Sequence, residues 1–172
     1  MKIVGRYKQG EVTDVELTKG QKECIEFQKC RIGLVMAYYE KLGDDAFDIA
    51  KAYFSQVGMT WGQDLKRSLK VEGNDENALA AVLNAFLVQA VGMPEGSAEV
   101  QGNQVIVENK DFCSVLEAVQ QLNAPWEKVC HNCALPIFEG VALAVNPDTT
   151  LEVPKSRMRG NRHCKHVFTI HK

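Results

Sequence analysis

The chain has 172 residues, of which 45% are hydrophobic and 24% charged, and its formal net charge is −2. This composition is typical of a soluble globular protein, and a chain of this length buries roughly 70% of its unfolded surface, so it needs no disulfides for stability. The near-neutral charge argues against nucleic acid as a partner. A local run of basic residues is an exception to this near-neutral composition. We interpret it as a solvated turn between two predicted strands; its residues are Lys155, Arg157, Arg159 and Arg162.

The N-terminal residues lack the apolar core of a secretory signal. No apolar run approaches the length of about 18 residues that a transmembrane helix needs, because Asn84 and Gln89 interrupt the longest candidate, Ala78–Val91. We therefore expect a cytoplasmic protein that does not bind membranes. In a reducing compartment its six cysteines are expected to be free, metal-bound or catalytic.

Helical spacing of apolar residues dominates the first half of the chain. After a short strand or arm around Val12–Leu17, the pattern predicts one helix over Lys19–Leu42 and a second over Ala46–Val57. Gly58 and Gly62 bracket a predicted link, which a weakly marked helix over Gln63–Lys70 follows.

The second half of the chain mixes strands with helices. A third strong helix begins at Asn74 or Asp75 and ends near Val91, before Gly92 and Pro94. Beyond it, turn and alternation patterns predict a hairpin around Gly102-Asn103, a helix over Asp111–Leu122, a helix from Pro125, and strands over Thr149–Val153 and Cys164–Ile170.

This order of elements predicts an α+β fold in which a helical N-terminal part packs with an antiparallel sheet. We expect a single domain over residues 1–172, with a mainly helical scaffold in 1–95 and an α+β part that carries the functional site in 96–172. The helical spacing also predicts a set of buried residues: Phe47, Ile49, Tyr53, Phe54, Leu79, Val82, Leu83 and Phe86.

All four histidines and four of the six cysteines follow residue 112. Cys130 and Cys133 form a C-x₂-C pair, and in an α-helix both thiols would face one side. Cys164 begins the last predicted strand, and Cys113 lies near the start of the preceding helix. Soft sulfur ligands suit Zn²⁺ and iron–sulfur clusters, so we predict a zinc site, or an iron–sulfur cluster as the alternative, on Cys113, Cys130, Cys133 and Cys164.

The cysteines also have interpretations that involve no metal. Cys113 and Cys164 could be small core residues, and Cys130 and Cys133 could form a transient disulfide. Thiolates gain from nearby positive charge, for which Lys128, Arg162 and Lys165 are the local candidates. Cys24 and Cys30 face different directions of one helix and are not expected to share an ion.

Histidine next to these cysteines suggests a second kind of chemistry. In a strand, His166 shares a face with Cys164, so it could act as a metal ligand or as a catalytic base. Cys133 would then be the nucleophile and His166 its base. The alternative is that His166 is an ordinary surface histidine.

The last 60 residues resemble the L-2-amino-thiazoline-4-carboxylic acid hydrolase-like family, and their end is similar to the 4-vinyl reductase type of small-molecule-binding domain. The residues that carry this resemblance are Cys113, Cys130 to Cys133, Glu139-Gly140, Asn146-Pro147 and the stretch from Gly160 through Cys164 to Phe168.

The resemblance implies a ligand pocket between helices and sheet, and either of two functions. One is a metal- or thiolate-assisted hydrolase that opens a C–N bond of a small cyclic amidine or thiazoline. The other is a non-catalytic sensor in which Cys130 or Cys133, with Cys164, holds zinc. The sequence departs from the sensor pattern, because Ser156 to Arg159 lack the expected acidic residue and cysteine. Either function implies a small-molecule partner and is compatible with a homo-oligomer.

Overall fold

A computed structural model describes residues 16–94 and 96–171. The helices in these ranges are α1 Lys19–Leu42, α2 Asp45–Ser68, α3 Glu76–Phe86, α4 Ser114–Leu122, α5 Trp126–Val129 and α6 Leu135–Val145. Two π-helical turns, Leu87–Val91 and Cys130–Ala134, extend α3 and join α5 to α6. The strands are β1 Ala98–Gln101, β2 Gln104–Asn109, β3 Thr149–Lys155 and β4 Cys164–Ile170, with a 3₁₀ turn at Arg157–Arg159.

The strands form one antiparallel sheet in the order β1-β2-β4-β3. The α+β prediction is therefore confirmed, including the hairpin, the following helices and the two C-terminal strands. Val105 pairs with Phe168 and Val107 with His166, so these side chains share the face of the sheet that packs on the helices. Cys164, at the start of β4, lies on the same face.

Local capping explains where the first and third helices begin. Thr18 and Gln21 form a reciprocal capping box at the start of α1. At α3, the carboxylate of Asp75 accepts a 2.9 Å hydrogen bond from the amide of Ala78. The predicted arm at Val12–Leu17 falls outside the described residues except for Glu16 and Leu17, and Leu17 is buried without regular structure.

The predicted break at Gly58 and Gly62 is wrong, because α2 runs unbroken to Ser68 and includes the segment expected as a separate helix. Both glycines face α6. A β-carbon on Gly62 would lie 2.7 Å from the Ala144 β-carbon and 2.8 Å from the Val141 carbonyl oxygen. A β-carbon on Gly58 or Gly140 would likewise meet the backbone of the opposite helix. These glycines therefore let two backbones touch and do not interrupt either helix.

One hydrophobic core extends from Ile32 in α1 to Ile170 in β4 and includes six of the predicted buried residues: Phe47, Phe54, Leu79, Val82, Leu83 and Phe86. Ile49 and Tyr53 are corrections, because they are 62% and 63% exposed. The neighbouring glycine contacts turn α2 so that its Ala46–Ala50–Phe54 stripe faces inward and leaves Ile49 and Tyr53 on the outer side.

The continuous helix from Trp126 to Val145 is 20 residues long and apolar enough to cross a membrane by length and composition alone. In the fold, its α6 portion packs closely against α2 and carries the buried residues Ile137, Phe138 and Val141. The same apolar character is expected of a central core helix, so it gives no independent evidence of a membrane.

Candidate functional site

The π-helical turn at Cys130–Ala134 positions two of the cysteines. It lies just before Pro136, which has no N–H to donate. The amide of Leu135 instead bonds to the carbonyl of Cys130, five residues earlier. This wider turn changes the α-helical spacing on which the shared face of Cys130 and Cys133 was predicted.

Cys133 is fully buried. Burial raises the pKa of its thiol to about 11, and the positive charge of Arg31 acts in the opposite direction. Arg31 is also fixed to this residue, because its guanidinium donates a 2.6 Å hydrogen bond to the Cys133 carbonyl oxygen. Cys133 is therefore held as a neutral thiol beside a cation.

Electrostatic interactions link the other three cysteines of the predicted set. Burial raises the pKa of Cys130, and negative charge on Cys113, Cys164 or Cys133 would raise it further. Negative charge on Cys164 likewise raises the pKa of Cys113. The charge states of these cysteines are therefore coupled, which places them in one region of the fold although they are scattered in the sequence.

Cys113 and Cys164 are placed by the ends of regular elements. Cys113 is the N-cap residue of α4, where the amides of Leu116 and Val115 lower its thiol pKa against the larger effect of burial. Cys164 pairs with Asn109 across the sheet, and its sulfur accepts a 3.4 Å hydrogen bond from the amide of Arg157.

Two arginines supply positive charge at this cluster. Gln28, which is buried, accepts a hydrogen bond from Arg31 and donates one of 2.9 Å to the Ala90 carbonyl oxygen, so it orients the guanidinium from α1. Burial lowers the pKa of Arg31 to about 10, and the thiols oppose that shift. Arg157 donates to the carbonyl oxygens of Asn109 and Asp111 at 3.4 and 3.1 Å, and its charge lowers the pKa of Cys113.

Lys128, Arg162 and Lys165 were expected beside the thiols, but the cations that shift the thiol pKa values are Arg31 and Arg157. Lys128 pairs with Asp44, and Lys165 lies 4.0 Å from Glu108. Arg31, the cation that acts on three of the four thiols, comes from the predicted scaffold. No local signal in the sequence points to this role, because Arg31 is one of several charged residues within α1.

The donors suit a soft metal, but they do not form a ready-made cage. Within residues 16–94 and 96–171, no three His, Cys, Asp or Glu side chains are arranged to hold an ion. The π-helical turn provides a reason, because Cys130 and Cys133 do not have the α-helical offset from which convergence was predicted.

His166 lies on the core face of β4, where its ring is 5.1 Å from that of Phe138. Burial lowers its pKa to about 4, so the ring is neutral at neutral pH, and its buried Nδ1 atom has no hydrogen-bond partner. The described residues show no hydrogen bond between His166 and Cys133, and the charge that acts on the Cys133 thiol is that of Arg31. The structure thus places both predicted catalytic residues in the interior without joining them.

No family model and no curated protein matches this chain. Among solved structures, it is similar to a trafficking protein particle complex subunit 3 from Naegleria fowleri, described as covalently bound to palmitic acid. The two are 10% identical, the match covers 88% of this chain and 97% of that chain, and the TM-score is 0.52. At this identity the likeness concerns the fold alone.

Proposed function

We propose that the protein is a non-catalytic small-molecule-binding module in which Cys113, Cys130, Cys133 and Cys164 hold a soft metal, with zinc preferred and an iron–sulfur cluster as the alternative. One observation carries the proposal: Arg31 bonds to the Cys133 carbonyl oxygen, the Arg157 amide bonds to the Cys164 sulfur, and charge on Cys113, Cys133 or Cys164 would shift the pKa of Cys130. Metal binding requires the four side chains to converge further. Thiolates are the form that binds metal, and neighbouring guanidinium groups stabilise them.

Metal binding at these residues must be coupled to the release of thiol protons. Burial raises the pKa values of Cys130 and Cys133, so both thiols carry protons at neutral pH. A metal must displace these protons, and binding should therefore release acid and strengthen as pH rises. Once bound, zinc would supply a structural crosslink between the start of α4, the π-helical turn and β4.

The binding part of the proposal is supported by the interior next to the thiols. Phe138 packs against Phe86, Phe168 and His166 with ring centroids 5.1–5.9 Å apart, so this part of the core is aromatic with one neutral polar group. The similar trafficking subunit is described as carrying covalent palmitic acid. We accordingly propose an apolar or aromatic small molecule as the ligand.

A hydrolase is the second candidate, favoured by the resemblance to the thiazoline-hydrolase-like family and by the unprotonated His166 with its unpaired Nδ1. In this candidate, Cys133 attacks the C=N carbon of a cyclic amidine or thiazoline while His166 accepts the thiol proton and returns it to the departing ring nitrogen, so a C–S bond forms as the C–N bond breaks. Water then hydrolyses the covalent intermediate and restores the thiol. This mechanism requires Cys133 and His166 to approach each other when substrate binds.

The test combines metal content and turnover on the same samples, purified without air exposure. Single serine variants of Cys113, Cys130, Cys133 and Cys164 should each lower bound metal, whereas Cys24→Ser and Cys30→Ser, outside the cluster, should leave it unchanged. No thiazoline or cyclic amidine should be consumed. Turnover that Cys133→Ser abolishes while metal persists would establish the hydrolase, and a metal-free wild-type protein would exclude the metal site.

A further inference from the structure

The outward face of α1 carries a seam of exposed residues, which the described chain contacts at Phe27, whose ring lies edge-on 6.3 Å from that of Trp61. Its residues recur at alternating steps of four and three, which is the spacing of a coiled-coil seam, and all are exposed: Glu23, Phe27, Cys30, Leu34, Ala37 and Lys41. Leu34 is 61% and Phe27 50% exposed. Such a row on one helix is typical of an interaction site and unusual for a free surface.

The seam is complementary to itself when run in the opposite direction. The pairs Glu23 with Lys41, Phe27 with Ala37, and Cys30 with Leu34 are all symmetric about residue 32. Antiparallel pairing of two copies about that point would place acid against base at both ends and a large side chain against a small one in each inner layer. Both size and charge then fit one partner, a second copy of this chain.

Gly33 is an independent observation at the centre of the seam. A β-carbon there would meet no atom of the described chain within 4 Å, so nothing inside the fold requires a glycine in mid-helix. Glycine at such a position weakens a helix relative to alanine. Next to Cys30 and Ala37, it would let the backbone of a second helix approach closely.

We propose that the protein forms a two-fold symmetric dimer in which the α1 seams pair antiparallel, centred at residue 32. The paired segment between Glu23 and Lys41 is about 27 Å long. Further exposed apolar side chains on α1 and α2 are Tyr38, Leu42, Ile49 and Tyr53. Among the described residues, Glu23 pairs with the exposed Lys19 at 3.7 Å, and no ion pair is seen at Lys41.

Charge reversal tests the register. Sedimentation equilibrium of the full chain should show a dimer, and Glu23→Lys or Lys41→Glu should each raise its dissociation constant by roughly tenfold or more, because like charges then face each other twice. The double variant Glu23→Lys/Lys41→Glu should restore dimerisation. Glu152→Lys, an equally exposed reversal on β3, is the matched control and should have no effect.

Crosslinking tests the same geometry at close range. Leu34→Cys places a new thiol opposite Cys30 of the other copy, so mild oxidation with copper–phenanthroline should give a covalent dimer on a non-reducing gel. Leu42→Cys has no cysteine opposite it in this register and should not crosslink. Equal crosslinking of both variants would overturn the register.

Three further outcomes would overturn the dimer itself. One is a wild-type chain that remains monomeric at all soluble concentrations. Another is a dimer that Leu34→Glu leaves intact, since this exposed substitution should abolish association while the circular dichroism melt stays unchanged. The third is binding of α1 to phosphatidylcholine vesicles at the expense of the dimer, which would assign the seam to a lipid surface.

Discussion

The α2–α6 contact and the thiol cluster are neighbours in the interior but are built on opposite principles. Around α2 and α6, glycines bring backbones together, and the aromatic series Trp61, Phe86 and Phe138 fills the space beside them. At the thiol cluster, Cys133 is equally buried, but beside it lie a guanidinium and titratable thiols whose pKa values burial has shifted. The first region stabilises the fold. The second destabilises it in part, because ionisable groups are held there in a buried environment.

The largest expected loss of stability comes from a substitution in the packed region around α2 and α6. Phe86→Ala removes a ring that is 3% exposed and contacts Trp61 and Phe138, and it should cost about 3–5 kcal/mol in free energy of unfolding. Tyr53→Ala is the control, because its 63% exposed side chain should change stability by less than about 0.5 kcal/mol. Urea unfolding of both variants measures the difference. Similar costs for both would show that α2 and α3 present other faces to the core.

A pH titration probes the border between the regions, at His166. Its pKa in the folded state is about 4, below the unfolded value of about 6.5, so the unfolded chain takes up the proton first as pH falls. The resulting stability is complete above about pH 6.5 and is lost towards pH 4, by up to about 3 kcal/mol. His166→Phe should flatten this part of the stability profile. The exposed His131→Gln should leave it in place, and an unchanged profile for His166→Phe would contradict the assignment.

Gly58→Ala is expected to have a smaller effect on stability, about 1–3 kcal/mol, because the added methyl group meets the backbone of Ile137 and forces α2 and α6 apart. Gly20→Ala is its matched control in α1, where a β-carbon meets nothing within 4 Å. Thermal melts should separate the two. A Gly58→Ala protein as stable as the parent would mean that the helices can shift without loss.

The last prediction concerns the reactivity of the thiol cluster, measured on a variant of Arg31. Arg31→Met removes a charge that lowers the pKa of Cys130, so the thiolate fraction of this partly exposed residue should fall and its alkylation by iodoacetamide, followed at Cys130 by mass spectrometry, should slow several-fold. Arg31→Lys should retain much of the rate. Phe86→Ala, measured under folded conditions, should leave it unchanged. Equal rates in Arg31→Met and the parent would remove Arg31 from the site.

Several elements were predictable because their signals are local. The spacing of apolar residues and the flanking Thr18 and Gly43 fix α1, and the alternation in Cys164–Ile170 fixes β4 to its observed bounds. The break at Gly58 and Gly62 was not predictable in the same way. Glycine weakens a helix locally, but here it is required by the distance to another helix, which sequence spacing does not record.

By itself, the sequence determined the α+β class and the antiparallel arrangement, whereas the joint action of the four cysteines stays a prediction. Only the tertiary structure decided that Arg31, about a hundred positions before Cys133, lies beside that cysteine. Only the structure showed that a π-helical turn changes the relative directions of the Cys130 and Cys133 side chains. It also decided that Ile49 and Tyr53 lie outside. The physical reason is range: helix and strand periods depend on neighbours a few residues apart, whereas buried charge and close backbone contact depend on which elements meet.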